Sequence, residues 1–300
     1  MQVANAVALA FCLTFVSVGP VFALPDMAGG SATKPMLRDD AIASIQRALD
    51  ESRYIDAGRM LDQALLTGAQ DPRLILLVGE LSLARTHYED ALSSFKRVDS
   101  DPNLRPRALQ GEGIALSLLG RSNESLDTLK RAVDEDPTLW RAWNALGGEY
   151  DRRHEWASAK DAYDRALAHS DGAAIVLNNR GFSRMLQGQL DEAAADFVAA
   201  LGKKPDLAPA RTNLRLALAM KGDYGRAVSG GEQKTRAALL NNAGVAAMLR
   251  GDYTKAADLF GQAMKAKDDY YARAAANLEL ARSLMAENHT DAADHGASKH

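Results

Sequence analysis

Small residues recur in this chain at a fixed interval of 34 residues, and this interval limits the folds that the chain can adopt. One column consists of glycines: Gly79, Gly113, Gly147 and Gly181. Two more columns keep the same step: Ala57, Ala91, Ser125, Ala159, Ala193 and Ala227, and Ala64, Val98, Ala132, Ala166 and Ala200. A period of about 20 to 50 residues is typical of repeat arrays, whose units stack on one another and share a continuous core.

Each repeat contains two apolar patterns of helical period with a turn signal between them. Gly120, Gly188, Gly222 and Gly251 stand at the turns, where glycine can take the left-handed conformation that ends a helix. Two prolines, Pro137 and Pro205, should stop the second helix of their units. The sequence therefore predicts an all-α fold of antiparallel helix pairs.

The spacing of the larger residues resembles the tetratricopeptide repeat (TPR) consensus. The best matching positions are Trp143, Leu146, Gly147, Tyr150, Ala159, Tyr163 and Ala166, followed by Gly181, Ala193, Phe197, Ala200 and Pro205. The resemblance covers about residues 38–270 and implies a right-handed superhelical solenoid. We predict seven units: 38–71, 72–105, 106–139, 140–173, 174–207, 208–236 and 237–270. The sixth is short after Ala227, which indicates either a tolerated deletion or a local break in the superhelix pitch, such as a hinge.

The remaining segments differ from the repeats in composition. Residues 1–23 contain an apolar stretch that ends in Val21-Phe22-Ala23, a pattern typical of a secretory signal peptide cleaved after Ala23. An uncleaved inner-membrane anchor is the alternative, and it is the only membrane attachment that we expect. Residues 24–37 are predicted to be a linker, 38–286 the solenoid with a capping helix at its end, and 287–300 a disordered tail. The expected location is therefore periplasmic or secreted.

The composition and the motifs of the chain indicate neither catalysis nor nucleic-acid binding. The formal net charge is -3, and no clustered basic face is evident. Cys12 is the single cysteine, which excludes thiol chemistry from a mature chain that begins after Ala23. No dinucleotide loop, phosphate loop or His-Glu-x-x-His zinc pattern is complete. We therefore predict a non-enzymatic protein with no cofactor and no metal, whose partners are other proteins or peptides.

In TPR superhelices the first helix of each unit lines the concave groove, with its second, fifth, sixth, ninth, twelfth and thirteenth residues facing inward. By that resemblance, asparagines of successive units should form a ladder that bonds the backbone of an extended peptide, because a carboxamide offers both a donor and an acceptor. The alternative is that these asparagines bond neighbouring repeats. The predicted partner-binding residues are Asn144, Asn178, Asn179, Phe182, Met185, Thr212, Asn213, Leu216, Met220, Asn241, Asn242, Val245 and Met248.

Several other residues depart from the consensus. Arg180 and Arg215 replace a leucine and a glycine, so we expect ion pairs with nearby carboxylates or, as the alternative, contact with an acidic partner. Leu76 and Leu77 are apolar at groove positions, which suggests an end of the array that another segment or a partner covers.

Two stretches, residues 179–188 and 213–224, resemble the TadD-type TPR proteins of bacterial Flp/Tad pilus assembly. That resemblance implies a scaffold in pilus assembly or secretion. A general periplasmic adaptor in envelope or cell-wall maintenance is the alternative.

Overall fold

The computed structural model describes the backbone of residues 38–230, 233–267 and 271–297, and the side chains of these residues except 233, 234 and 287–297. In these ranges the chain forms fifteen helices and no strand. The helices are α1 (Asp39–Asp50), α2 (Tyr54–Leu66), α3 (Pro72–Ala84), α4 (Tyr88–Lys96), α5 (Arg105–Leu118), α6 (Ser122–Glu135), α7 (Trp140–Arg152), α8 (Trp156–Ala168), α9 (Ala174–Leu186), α10 (Leu190–Lys203), α11 (Ala208–Lys221), α12 (Tyr224–Val228), α13 (Gln233–Leu249), α14 (Tyr253–Lys265) and α15 (Ala272–Ala297). The predicted signal peptide and linker lie outside the described residues.

The helices pair in the predicted way, and each pair is one repeat unit. The odd-numbered helices α1 to α13 are the first helices of units one to seven, called helix A here, and the even-numbered helices are helix B. Helix A of each unit also contacts helix A of the next one. The second helices of units three and five end two residues before Pro137 and Pro205, as the prolines predict.

The sixth and seventh units and the last helix differ from the regular pattern. Helix B of unit six, α12, has only five residues, so the shortening after Ala227 is a structural feature of that helix. Helix A of unit seven, α13, has 17 residues and begins at Gln233, four residues before the predicted start of the unit. The last helix, α15, continues to Ala297, beyond residue 287, at which the sequence predicted the tail to begin.

The turn between helix A and helix B has one left-handed residue in every unit. Glycine occupies it in units three, five, six and seven, with φ between 75° and 90°. In units one, two and four the equivalent residues are Ser52, Thr86 and His154, with φ of 59°, 65° and 58°. The left-handed conformation is therefore fixed by the position in the repeat, and three units adopt it without glycine despite the steric penalty.

In units two, four, five and seven, an aromatic ring of helix B packs on a glycine of helix A. Phe95 lies between Gly79 of its own unit and Gly111 of the next, and a Cβ added at Gly111 would come within 2.3 Å of the ring. Tyr163, Phe197 and Phe260 pack in the same way on the glycines of units four, five and seven. The three phenylalanines have no exposed surface. These contacts explain why the glycine column recurs, since any side chain there would push the two helices apart.

One bond shows how an arginine replaces the consensus tryptophan. In unit four the Trp143 indole Nε1 donates to the carbonyl of Pro137 over 2.8 Å. In unit six, Arg211 stands at the tryptophan position, and its guanidinium donates to the carbonyl of Pro205 over 2.7 Å. Both bonds join helix A to the proline turn six residues earlier, so the substitution preserves this connection.

Candidate functional site

Contacts between units that are not neighbours identify the inner surface of the solenoid. Arg107 of unit three donates to the Gln46 side chain of unit one over 2.6 Å. Arg141 of unit four lies 3.8 Å from the Asp50 carboxylate of unit one. All four side chains belong to helix A and stand at the second, ninth or thirteenth position of their units. The helix A layer is therefore the inner side of the curve, and these positions face inward.

The inner surface of units one to four, called the N-terminal half here, carries charged side chains that bond to one another. Arg107 donates to Glu80 over 2.5 Å as well as to Gln46. Arg73 pairs with Asp39 of unit one, and Arg152 pairs with the buried Glu149 over 2.6 Å. A small cleft of about 280 Å³ lies here, lined by Gln46, Asp50, Arg107, Gln110, Thr138, Leu139, Trp140 and Arg141.

Units five to seven have no charged residue at the six inward-facing positions. These positions hold Ile175, Asn178, Asn179, Phe182, Met185 and Leu186 in unit five, Pro209, Thr212, Asn213, Leu216, Ala219 and Met220 in unit six, and Ala238, Asn241, Asn242, Val245, Met248 and Leu249 in unit seven. Units five to seven together with α15 are called the C-terminal half here. The two halves of the inner surface therefore differ sharply in charge.

The asparagines of the C-terminal half and of unit four bond to one another in a recurring pattern. The Asn179 amide donates to the Asn144 carbonyl oxygen over 3.0 Å, and Asn213 donates to Asn178 over 3.1 Å. In both bonds the sixth residue of one unit donates to the fifth residue of the unit before it. Asn178 also donates to Asn179 over 3.1 Å, so four side chains form one connected chain.

This bonding is the alternative that the sequence left open, in which asparagines join neighbouring repeats. It also fixes the orientation of the carboxamides. Asn178 and Asn179 in the middle of the chain each use one of their two N–H groups and one lone pair. Asn178 is buried, whereas Asn179 is half-buried and keeps hydrogen-bonding capacity for a partner. The use of these groups by a peptide backbone stays a prediction.

The asparagine pattern is interrupted between units six and seven. Thr212 stands at the fifth position of unit six and is exposed, and no hydrogen bond joins it to Asn242 in the part of the chain that the structure describes. The interruption coincides with the shortened helix α12. The pattern resumes beyond it, where Asn277 of α15 donates to Asn241 over 3.1 Å.

The apolar residues predicted for the groove divide between core and surface. Met185 is buried with Phe197 and Ala217, and Phe182, Leu216 and Met220 pack partly against the same cluster. Met220, Val245 and Met248 pack partly against the cluster around Phe260. The predicted site residues therefore fall into three groups by exposure. The buried ones are Asn178, Met185 and Asn241, the half-buried ones are Asn144, Asn179, Phe182, Asn213, Leu216, Met220, Asn242, Val245 and Met248, and Thr212 is exposed.

Three exposed apolar residues on the inner surface of units five to seven escaped the sequence prediction. Ile175, Leu186 and Leu249 are 39%, 42% and 47% exposed. They stand at the second or thirteenth position of units five and seven, so the positional rule applied to every unit would have found them. The same rule would have found Gln46, Asp50 and Arg107 in the N-terminal half.

Leu76 and Leu77 do not form an uncovered end of the array. Leu76 packs with Leu92 and Phe95 of helix α4, and Leu77 packs with Leu61 and Leu74. Both are 2% exposed. The suggestion that another segment or a partner covers them is wrong, because the solenoid itself buries them.

The arginines of units five and six have different partners. Arg180 makes two bonds to Asp196, of 3.0 Å and 2.8 Å, and one of 2.7 Å to Asp164, which confirms the expected ion pair. The hydrogen bonds that Arg180 donates to Asp196 raise the pKa of Arg180 above its ordinary value. Arg215 instead donates to the carbonyl of Ser229 over 3.1 Å. Both arginines thus brace helix A against helix B and are not turned toward the inner surface.

A buried carboxylate links the two halves. Asp151 of α7 accepts from the Tyr163 hydroxyl over 2.8 Å and from the Ser183 hydroxyl of α9 over 2.6 Å. Burial raises the pKa of Asp151 above its ordinary value, although both hydrogen bonds favour the ionised form. Because Asp151 belongs to unit four and Ser183 to unit five, this contact connects the N-terminal half to the C-terminal half.

In residues 38–230, 235–267 and 271–286, no three His, Cys, Asp or Glu side chains lie close enough to hold a metal ion. No helix within the described residues combines the length and the apolar composition that a bilayer crossing needs.

Comparison with known proteins gives partial sequence matches. The chain is 30% identical over 128 residues to protein FlbA of Caulobacter vibrioides, which is 40% of this chain and 22% of that protein. It is 30% identical over 138 residues, or 44% of this chain and 15% of the relative, to the probable UDP-N-acetylglucosamine–peptide N-acetylglucosaminyltransferase SPINDLY of Hordeum vulgare. Tetratricopeptide repeat protein 13 of Homo sapiens is 29% identical over 126 residues, 42% of this chain and 14% of its own length. The matches thus span less than a quarter of each of these three relatives.

No protein-family model matches the chain, and the solved structures supply the fold. A thermophilic TPR protein of Thermus thermophilus covers 60% of this chain and 97% of its own, with a TM-score of 0.53 and 21% identity. The APC/C hetero-tetramer Cut9-Hcn1 covers 81% of this chain and 49% of its own, with a TM-score of 0.62 and 15% identity. The fifteen helices, their pairing and these likenesses show that the chain has the solenoid fold of the tetratricopeptide repeat proteins, which is suited to binding other proteins.

Proposed function

We propose that this protein is a non-enzymatic scaffold that binds a partner polypeptide on the inner surface of its C-terminal half. The observation that carries the proposal is the uncharged inner surface of units five to seven, where bonded asparagines lie beside exposed apolar side chains. Apolar side chains left exposed in a concave surface release water when a partner covers them, and this supplies the main driving force for association. The carboxamides add donors and acceptors without requiring a particular charge on the partner.

The N-terminal half is less suited to that role. Its charged side chains are already paired across units, and the contacts of Arg107 and Arg141 with unit one draw the inner walls of units one to four together. A partner would have to break these pairs and desolvate the charges before it could bind. Units five to seven make no such demand, because their inward-facing positions are neutral.

We place this scaffold in the bacterial envelope, in the assembly of an Flp/Tad pilus or of a related secretion system. The support is the signal-like pattern of residues 1–23 and the resemblance of residues 179–188 and 213–224 to TadD-type proteins. A general periplasmic adaptor differs from this proposal in its partners, so the identity of the captured protein distinguishes the two.

The proposal is tested by photo-crosslinking in cells. The photoreactive residue p-benzoylphenylalanine would replace Leu216 on the inner surface or, in a matched control, Leu66, which is 86% exposed on helix B of unit one. We expect position 216 to capture pilus or secretion components and position 66 to capture none of them. Capture of cell-wall enzymes at position 216 would move the protein to the general envelope role. Equal capture at both positions would refute the assignment of the surface.

A further inference from the structure

The last helix, α15, repeats the hydrogen bond that joins the first helices of successive units. Asn277 donates to Asn241 over 3.1 Å, and these residues are 36 positions apart. The bonds from Asn179 to Asn144 and from Asn213 to Asn178 span 35 positions. In all three, the donor lies on the later helix A and the acceptor on the earlier one. With Ala272 as its first position, α15 places Asn277 at the sixth position, as a helix A would.

The buried residues of α15 follow the same register. Ala210 and Ala217, at the third and tenth positions of α11, have no exposed surface. Ala274 and Ala281, at the same positions of α15, are also fully buried and join the cluster around Phe260. Hydrogen bonding and burial therefore agree that α15 stands in the array as an eighth helix A.

This register places two leucines of α15 on the inner surface. Leu280 stands at the ninth position, in one column with Leu216 and Val245, and is 49% exposed. Leu284 stands at the thirteenth position, in one column with Met220 and Leu249, and is half-buried. The fifth, sixth, ninth, twelfth and thirteenth positions of α15 carry no charge. Arg273, at the second position, adds one cation near the start of this helix.

We infer that the partner bound on the inner surface of the C-terminal half is an amphipathic α-helix. Helix A of units five, six and seven each contributes one row of side chains to this surface, and α15 contributes a fourth row. This inference rests on the proposed function. The partner helix lies across the four A helices with a single apolar stripe facing them. The stripe is free of charge, except for an acidic residue near the end that meets Arg273.

The spacing of the rows favours a helix over an extended strand. Packed helices lie about 8–10 Å apart, so a partner that crosses them must present an apolar side chain at about that interval. Seven residues of an α-helix advance about 10.5 Å and return to the same face. Three residues of an extended strand advance about 10 Å but bring the side chain to the opposite face. Four rows span about 30 Å, which about 20 residues of helix would cover.

The absence of inward-facing charge argues for the same partner. A lysine or glutamate in the centre of the stripe would lose its water without gaining an opposite charge, and this is costly. The exposed leucines offer only apolar contact. An amphipathic helix with leucine or methionine at heptad spacing satisfies these conditions, and helix-in-groove binding is a recurrent mode of peptide recognition.

The test uses the full chain and two synthetic 21-residue peptides of the same composition, measured by fluorescence anisotropy. One peptide has leucines at i, i+7 and i+14 with intermediate leucines at i+4 and i+11, one glutamate at its end, and lysine, glutamate and alanine elsewhere. The other has the leucines scattered around the helix. We expect the striped peptide to bind at least tenfold more tightly than the scattered one, and equal affinities would overturn the helical partner. Absence of binding by both peptides would overturn it too.

Protein variants separate the contribution of α15 from that of units five to seven. Leu280→Glu together with Leu284→Glu should weaken binding of the striped peptide at least tenfold, while Leu66→Glu should leave it unchanged. If the α15 double variant binds normally and Leu216→Glu does not, the fourth row is wrong but the proposed function stands. If neither change alters binding, the inner surface itself is the wrong site. Circular dichroism of each variant verifies that it remains helical. The single Leu280→Ala variant adds no charge and should bind the striped peptide at least threefold more weakly than the wild type.

Discussion

The two halves of the inner surface are built by the same fold and differ in how their side chains are used. In units one to four, arginines and carboxylates at inward-facing positions bond to one another, and side chains of units one and four lie only 3.8 Å apart. In units five to seven and α15, asparagine carboxamides bond to one another, and Leu186, Leu249 and Leu280 are exposed. The comparison teaches that a repeat fixes which positions face inward, while the residues at those positions decide whether the surface is occupied by its own side chains.

The largest effect should come from placing a charge in the C-terminal half. Leu186→Glu should weaken partner binding about 100-fold, or about 2.7 kcal/mol, because the partner would bury a carboxylate without a counter-charge. Leu118→Glu is the matched control, since Leu118 stands at the same thirteenth position in unit three and is 50% exposed. Titration of both variants with the captured partner would measure the difference. Equal losses would mean that the halves do not differ in binding.

Next in size is the loss of the carboxylate that joins the halves. Asp151→Ala leaves the hydroxyls of Tyr163 and Ser183 without their acceptor, which should lower the free energy of unfolding by about 2–3 kcal/mol. Urea denaturation followed by circular dichroism measures this. A loss below about 0.5 kcal/mol would show that the two units are held together without this contact.

The same site should make stability depend on pH. The pKa of Asp151 is raised by burial, so the native state binds this proton more tightly than the unfolded state. Its contribution to stability is therefore complete below the ordinary aspartate pKa of about 3.9 and is lost as pH rises through the raised value. Asp151→Asn cannot ionise, so its stability relative to the wild type should be greater at pH 7 than at pH 3.5. A constant difference between the two pH values would contradict the burial argument.

A smaller effect is expected at the centre of the asparagine chain. Asn178→Ala removes the acceptor of Asn213 and the donor to Asn179, at a cost of about 1–2 kcal/mol in the free energy of unfolding. Because both bonds are between neutral groups, the loss should be the same in 50 mM and 500 mM salt. Thr212→Ala, at the equivalent fifth position where the chain of bonds is interrupted, is the control and should change stability by less than about 0.5 kcal/mol.

The smallest effect should come from the charged half. Arg107→Ala removes the bonds to Gln46 and Glu80, but the arginine side chain is 41% exposed. The loss should be about 1 kcal/mol or less, and it should decrease in 500 mM salt because exposed charges are screened. Unfolding measurements at the two salt concentrations, compared with those for Asn178→Ala, would show whether the halves are held by different forces. If the loss of stability in Arg107→Ala does not depend on salt, the two halves are not held by different forces.

Much of the architecture could be predicted because it depends on short-range rules that repeat. The 34-residue columns predicted the helix pairs, since glycine in helix A is needed wherever a ring of helix B packs against it, as Phe95 does on Gly79 and Gly111. The deletion after Ala227 predicted a short helix B. The left-handed turn residues of units one, two and four were not predicted, because Ser52, Thr86 and His154 give no local signal for positive φ.

The site was predicted less completely, for a physical reason that differs between residues. The sequence, with its 34-residue period and its resemblance to TPR proteins, determined which side chains were predicted to face inward. Only the tertiary structure decided that Met185 and Asn178 are buried, that the asparagines bond one another across units, and that unit one meets unit four through Asp50 and Arg141. Such outcomes depend on the curvature of the array, which accumulates from small rotations between units and is encoded in no single repeat. The role of α15 follows the same logic, because its register became visible only through the bond from Asn277 to Asn241.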